Sequence, residues 1–371
     1  MTDLEPILSL WQELYAARAD YVLATIVAVE GSSYRKPGAF MLIAQDGRRS
    51  GTVSGGCLEA EVAQRAWWLT ASGPVVERYS TVADDGELPY GSGCGGVVYI
   101  LLERSLTANP LLASLQAAFS ARASLAVATV LEGAHTCRRA MAGGTGIASR
   151  FPEDNELQNL AQTAFEQRRS LRRSVRVDGN DVQVQADYHQ ARPGLWIFGA
   201  GDDARPLATL ARELGWFVAV ADGRSHLATP ARFPMADRVR ALPIAELPAA
   251  TSHHLPLLGT DAAMVMTHSF EQDSHILASL LLLAAPLPYI GVLGPQRRTR
   301  DLLAEASRLL NLPDRGERWP AQLHAPAGLD LGGETPAEVA LSILSEMQQA
   351  LHHATAQPLQ QVRAAPPVAA G

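Results

Sequence analysis

Ile197-Phe198-Gly199-Ala200-Gly201-Asp202-Asp203-Ala204 decides the fold of the C-terminal half of this chain. An apolar run, Leu195–Phe198, leads into the glycine turn, and a helical pattern over Ala204–Leu214 leads out of it. Strand, glycine turn and helix in that order make the dinucleotide fingerprint, here with alanine in the third glycine position. Gly199 makes the tight turn, and Gly201 lets a pyrophosphate approach the main chain. The first amides of the helix then receive the anion. A second strand, Phe217–Ala221, ends at Asp222, roughly twenty residues on, where a carboxylate takes ribose hydroxyls. Arg224 reads either as a partner for a 2′-phosphate or as a solvated surface residue. Asp202 and Asp203 put negative charge beside the phosphate position, although carboxylates also suit a helix N-terminus. An occupied nucleotide site and a vestigial or repurposed Rossmann domain are both compatible with this stretch.

Further apolar runs at Ala262–Met266 and Tyr289–Leu293 alternate with helical patterns. That alternation predicts a parallel sheet with helices on both faces. Thr267-His268-Ser269 lies at the carboxyl end of one such strand, where open α/β sheets bind ligands, and Asp273 follows on the next helix. His268 is the candidate acid/base there, weighed against an ordinary hydrogen-bonded structural histidine. Gly291 to Arg298 ends another strand and starts a helix, its arginines facing an anion or only a polar surface.

Asp187–Pro193 reads as a boundary, because the grammar before it differs. Residues 4–18 form an amphipathic helical pattern, with strands at Tyr21–Glu30, Ala39–Ala44, Val75–Tyr79 and Val97–Glu103. Helices are predicted over Cys57–Thr70 and Pro110–Arg122. A weak repeat relates Ala24–Gly31 to Ala126–Gly133, each followed by a basic pair, Arg35-Lys36 and Arg138-Arg139. The predicted organisation is therefore α/β: an N-terminal mixed α/β domain over 1–190 and a Rossmann-like parallel-sheet domain over 194–350. An Ala-, Pro- and Gln-rich tail over 355–371 is predicted to be disordered.

The N-terminal half carries its own chemistry. Ser54-Gly55-Gly56-Cys57-Leu58-Glu59 sets a cysteine after a glycine pair, and Cys94 sits in a matching glycine-rich frame, Gly91-Ser92-Gly93-Cys94-Gly95-Gly96. A thiol at a helix N-terminus has a lowered pKa and is a better nucleophile or metal ligand. The bland reading makes both cysteines small buried hydrophobes in tight turns. Gly31-Ser32-Ser33-Tyr34-Arg35-Lys36-Pro37-Gly38 offers amides, hydroxyls and two cations to an anion, or is a solvated hairpin.

Composition bounds the rest. A chain of 371 residues with net charge −7 has no basic surplus for nucleic acid. It has no apolar run long enough for a membrane span and no signal peptide. Three widely spaced cysteines make no disulfide framework and no zinc pattern, which points to the reducing cytoplasm.

Taken in order, these segments resemble the XdhC/CoxI family of accessory proteins for molybdenum-containing hydroxylases. The resemblance is carried by Glu30–Gly38, Ser54–Glu59, Cys94-Gly95-Gly96, Phe198–Gly201, Thr267-His268 with Asp273, Tyr289–Gly294 and Gly328–Gly332. It implies a maturation factor that binds molybdenum cofactor (molybdopterin), supports its sulfuration and passes it to a xanthine dehydrogenase-type molybdenum hydroxylase. A cysteine desulfurase is the other implied partner. Such a protein is a cofactor-binding chaperone rather than a conventional turnover enzyme. On this reading Ser32, Ser33, Arg35, Lys36, Gly55, Gly56 and Gly95 cradle the cofactor. Cys57 and Cys94 relay sulfur or contact molybdenum, thiolates being suited to soft centres. Gly199, Gly201 and Asp222 hold NAD(P), another nucleotide or the cofactor itself. The alternative is an NAD(P)-dependent oxidoreductase with His268 as acid/base. A homodimer is the base-rate expectation.

Overall fold

A computed structural model describes residues 4–56, 58–80, 96–144, 155–243, 257–283, 285–311 and 320–362. Cys57, Cys94 and Gly95 lie outside the described residues, as does the tail beyond Val362. The chain divides into two compact units, Met1–Arg192 and Pro193–Gly371.

The first unit is built twice over on one plan. Its first half runs α1 (Glu5–Ala16), β1 (Tyr21–Glu30), β2 (Phe40–Ala44), β3 (Arg49–Gly51), α2 (Glu59–Leu69), β4 (Val75–Ser80) and β5 (Val97–Arg104). Its second half runs α3 (Ser105–Ala121), β6 (Leu125–Val130), β7 (Arg139–Gly143), α4 (Asn155–Gln167), β8 (Leu171–Val177) and β9 (Asn180–His189). The sheet orders are β3-β2-β1-β5-β4 and β7-β6-β9-β8, with every neighbour antiparallel. Apart from the extra β3, the order within each half is the same, and β1 and β6 hold equivalent places. These are the two strands that carry the sequence repeat.

Side-chain alternation sorts the core. Tyr21 and Leu23 of β1 pack with α1 and α3, while Val22, Ala24 and Ile26 pack under α2. Covered on both faces, β1 reads as a continuous apolar run. Leu125 and Val127 of β6 join the first of these clusters, so the two sheets share a core. Ala126, Ala128 and Val130 turn the other way, against α4. The helix predicted from Pro110 begins five residues earlier, at Ser105, directly after β5, and keeps Pro110 inside it.

In the second unit β10 (Gly194–Phe198), β11 (Phe217–Asp222), β12 (Arg238–Ala241), β13 (Ala262–Val265), β14 (Tyr289–Val292) and β15 (Leu323–His324) form one parallel sheet. Its order, β12-β11-β10-β13-β14-β15, is the doubly wound Rossmann order. One face is covered by α5 (Ala204–Glu213) and α8 (Pro336–His352), the other by α6 (Phe270–Leu281) and α7 (Gln296–Leu309). The strand order reverses its progression between β10 and β13, which opens a crevice at their carboxyl ends. A one-turn helix, α9 (Leu359–Val362), is exposed throughout. No helix among the described residues is long and apolar enough to cross a membrane.

Candidate functional site

In the first unit, three glycine-bearing segments meet at the β1–β2 loop. The Ser32 carbonyl passes so close to Gly96 that a β-carbon at Gly96 would collide with it. The Tyr34 ring lies on Gly55, where a β-carbon would come within 3.5 Å of it. Gly96 is two residues beyond Cys94, and Gly55 two residues before Cys57. The loop therefore touches the chain on the approach to one cysteine and on the departure from the other.

The Ser54–Glu59 segment is held by its own carboxylate. Glu59 Oε1 accepts the N–H groups of Val53 at 3.1 Å and Ser54 at 2.8 Å. Glu59 Oε2 accepts the Ser54 hydroxyl and the Gly56 N–H at 3.0 Å. Ser54 Oγ in turn accepts the Leu58 N–H at 3.0 Å. Burial pushes the Glu59 pKa up, but the Ser54 hydroxyl and the amides outweigh it and leave the carboxyl below its ordinary value. An ionised carboxylate thus holds the turn in shape. The Gly56 amide, predicted to face a cofactor, is engaged inside this network.

Of the loop residues, Ser33 donates its hydroxyl to the Arg35 carbonyl at 2.9 Å, and Arg35 Nε donates to Thr52 Oγ1 at 2.8 Å. Ser32, Tyr34 and Lys36 are exposed. Cys137, given no role by the sequence, packs with Val27, Leu101 and Leu131. Burial, then the Glu103 charge, pushes its thiol far up, so it is a protonated, inert core residue.

The second unit's crevice places Gly199, Gly201, Asp222 and His268 together at the strand ends. Gly199 has φ +135°, and a β-carbon there would strike the Met266 carbonyl. Around Gly201 a β-carbon would meet nothing within 4 Å, so the cradle is open there. Asp222 is different from the expectation for a ribose ligand. Its Oδ2 accepts the Ala200 N–H at 2.6 Å and Arg224 Nη2 at 2.7 Å; its Oδ1 accepts the Arg224 N–H and Nε at 2.8 and 3.0 Å. All four of the carboxylate's acceptor positions are filled from within the protein. Burial raises its pKa, but the Arg224 side chain and the two amides bring it below its ordinary value.

His268 stands at φ +64°, a conformation strained for a non-glycine residue. Its Nε2 lies 3.6 Å from Asp203 Oδ2, with both side chains about half exposed (57% and 42%). Asp273, which follows His268 by five residues, is fully buried and bound elsewhere. It accepts the Thr267 hydroxyl at 2.6 Å and the Thr267 N–H at 3.1 Å, and pairs with Arg298 at 2.6 Å. Asp273 shapes the turn beneath His268. Among the described residues no cluster of three or more His, Cys, Asp or Glu is arranged to hold a metal.

A crystal structure described as a xanthine dehydrogenase from Bacillus halodurans matches with TM-score 0.71 and 28% identity, over 96% of this chain and 99% of that one. A probable xanthine dehydrogenase subunit from Bacillus subtilis (strain 168) is 33% identical over 332 residues, 88% of this chain and 92% of the relative. Residues 14–80 match the XdhC and CoxI family, and residues 195–347 the XdhC Rossmann domain. The chain belongs to the XdhC and CoxI family. Within that family setting, a shorter likeness is informative: 38% identity over 103 residues to the molybdenum cofactor insertion chaperone PaoD of Escherichia coli (strain K12). That match covers 25% of this chain and 29% of PaoD. The XdhC and CoxI segment over 14–80 contains both the Gly31–Gly38 loop and the Ser54–Glu59 turn.

Proposed function

We propose that this XdhC/CoxI-type protein is an accessory factor that binds molybdenum cofactor, supports its sulfuration and delivers it to a xanthine dehydrogenase-type molybdenum hydroxylase. The observation that carries the reading is the likeness to PaoD, named for inserting this cofactor, in a chain whose full-length relatives are named as xanthine dehydrogenase proteins. The first unit's geometry supports it. A carrier needs an anion cradle and soft contacts, and the Arg35-Lys36 loop touches the chain that leads to Cys57 and from Cys94. Ser32, Ser33, Arg35, Lys36, Gly55, Gly56 and Gly95 are the cradle on this reading, with Cys57 and Cys94 as sulfur relay or molybdenum contacts. A cysteine desulfurase supplies the sulfur. The reading includes a cytoplasmic place of action and a homodimer.

NAD(P) or another nucleotide at the second unit's crevice is a separate part of the proposal. The open space at Gly201 suits a phosphate, and Asp222 must release Arg224 before it takes a ribose. This internal pairing weighs against the oxidoreductase alternative.

The test is retention. Purified protein incubated with molybdenum cofactor and passed through gel filtration retains it near one-to-one, and Cys57→Ala weakens retention or sulfur loading. Unchanged behaviour of that variant reduces Cys57 to a packing residue. No retention by the unmodified protein overturns the proposal.

A further inference from the structure

Five arginines, Arg168, Arg169, Arg172, Arg173 and Arg176, fall within nine residues of a chain whose net charge is −7. All five are exposed. Three of them lie on β8, and β8 pairs only with β9 among the described residues. The Asp178-Gly179 turn fixes its register: Val177 faces Asn180, so Val177, Val175, Arg173 and Leu171 direct their amides to β9. Arg176, Ser174 and Arg172 direct theirs outward. The Arg176 N–H agrees, donating outward to Glu156 Oε2 at 3.0 Å. Ser174 and Arg172 are left with main-chain groups along the sheet edge.

On the face of the sheet that carries Arg172 and Gln183 lies a groove of ≈ 460 Å³, which Arg172 alone lines from β8. It runs to β4, which is the edge strand of the other sheet. Val27, Val76 and Leu131 give it an apolar lining, and Tyr99, Arg78 and Arg172 stand around them. Among the described residues one carboxylate lines it, Glu132, and that group accepts the Gln183 N–H at 2.7 Å. The other acids near the strand are engaged as well: Asp181 pairs with Arg176 at 3.6 Å, and Asp178 with Arg138 at 2.7 Å. The surface combines a row of outward main-chain groups, a pocket for an apolar side chain, and a basic surplus.

We propose that an extended, acidic segment of a partner protein adds to β8 as a fifth strand, seating an apolar side chain in the groove. Strand addition takes its affinity from main-chain hydrogen bonds and its specificity from alternate side chains. Here an apolar side chain of the segment, on the Arg172 face, turns to the groove lined by Val27, Val76 and Leu131, and its carboxylates, on the opposite face, meet Arg173. Edge arginines also deter self-pairing; the groove and the arginine surplus are what a purely protective edge does not need.

The experiment is fluorescence anisotropy of the full-length protein with a labelled ten-residue peptide alternating Glu and Val. A Lys/Val peptide and a Glu/Val peptide interrupted by prolines are the controls. The alternating acidic peptide binds, and both controls bind at least about tenfold more weakly. Arg172→Glu with Arg173→Glu, both exposed and on opposite faces of β8, weakens binding by about tenfold or more with the fold intact by circular dichroism. Ser174→Pro removes an outward N–H without touching the ladder to β9, and it abolishes binding. Equal binding of the proline-interrupted peptide, or charge-reversed protein binding as well as wild type, overturns strand addition. So does the absence of binding by any peptide, or displacement of the acidic peptide by millimolar inorganic phosphate alone.

Discussion

Glu59 reaches back five residues to Ser54, taking both its N–H and its hydroxyl, and so closes the turn that carries Cys57. The same carboxylate takes two further amides, from Val53 and Gly56. The glycines of this turn give it its path, and a buried acid at the start of α2 fixes it.

Glu59→Gln therefore destabilises the protein by roughly 1–3 kcal/mol at pH 7, the cost of weakening a charged, buried hydrogen-bond acceptor. The folded-state pKa of Glu59 lies below its ordinary 4.5. Its stabilising contribution is present above that value and is lost as the pH falls through the folded pKa. Urea unfolding of wild type and variant shows a gap at neutral pH that closes below pH 4.5. A gap independent of pH contradicts the assignment.

Asp187 behaves in the opposite sense. Burial, only partly offset by hydrogen bonds from Gln185 and Ser170, raises its pKa from 3.8 to about 6. The folded protein holds this proton more tightly than the unfolded chain. Its favourable contribution is full below pH 3.8 and lost as the pH rises through about 6. Asp187→Asn is accordingly more favourable relative to wild type at pH 8 than at pH 4, by roughly 3 kcal/mol. Chemical denaturation at the two pH values measures this, and equal differences refute it.

The two glycines of the nucleotide turn respond differently. Gly199→Ala meets both a positive φ and the Met266 carbonyl, and costs roughly 1–3 kcal/mol of stability. Gly201→Ala meets open space and leaves the melting temperature within a degree or two, about the scale of a few tenths of a kcal/mol. If a nucleotide binds here, Gly201→Trp abolishes an NADPH titration followed by intrinsic fluorescence.

Much of the second unit is legible in the sequence because its signals are local. The Phe198–Ala204 turn, the strand before it and the helix after it are read from neighbouring residues, and the parallel sheet follows. In the first unit the repeat points to β1 and β6, but not to the matching sheet orders, which depend on pairings far apart in sequence. The β8–β9 hairpin does carry a local signal, Asp178-Gly179 between two alternating runs, although no strand is predicted there. Arg139 lies 36 residues from Glu103, and no local pattern announces their buried pairing. At the crevice, the sequence reading sets Asp273 beside Thr267 and His268, and in the fold Asp273 binds Thr267 and Arg298. The carboxylate beside His268 is that of Asp203, brought from the glycine turn by sheet topology.

The buried Arg139–Glu103 pair joins β7 to β5, with Arg139 Nη1 at 3.0 Å from Glu103 Oε2. Arg139→Met leaves Glu103 buried without its counter-charge and destabilises the first unit by about 3–5 kcal/mol. Replacing both partners, Arg139→Met with Glu103→Leu, recovers most of that loss. Thermal unfolding of the single and double variants decides it, and equal destabilisation by both contradicts the pairing argument.

That this chain carries molybdenum cofactor is tested most directly by metal and pterin analysis of the protein isolated from a host that makes the cofactor. The predicted result is molybdenum and pterin together, in equal amounts and approaching one of each per chain. Protein from that host with neither molybdenum nor pterin, while a client hydroxylase beside it is fully loaded, contradicts it.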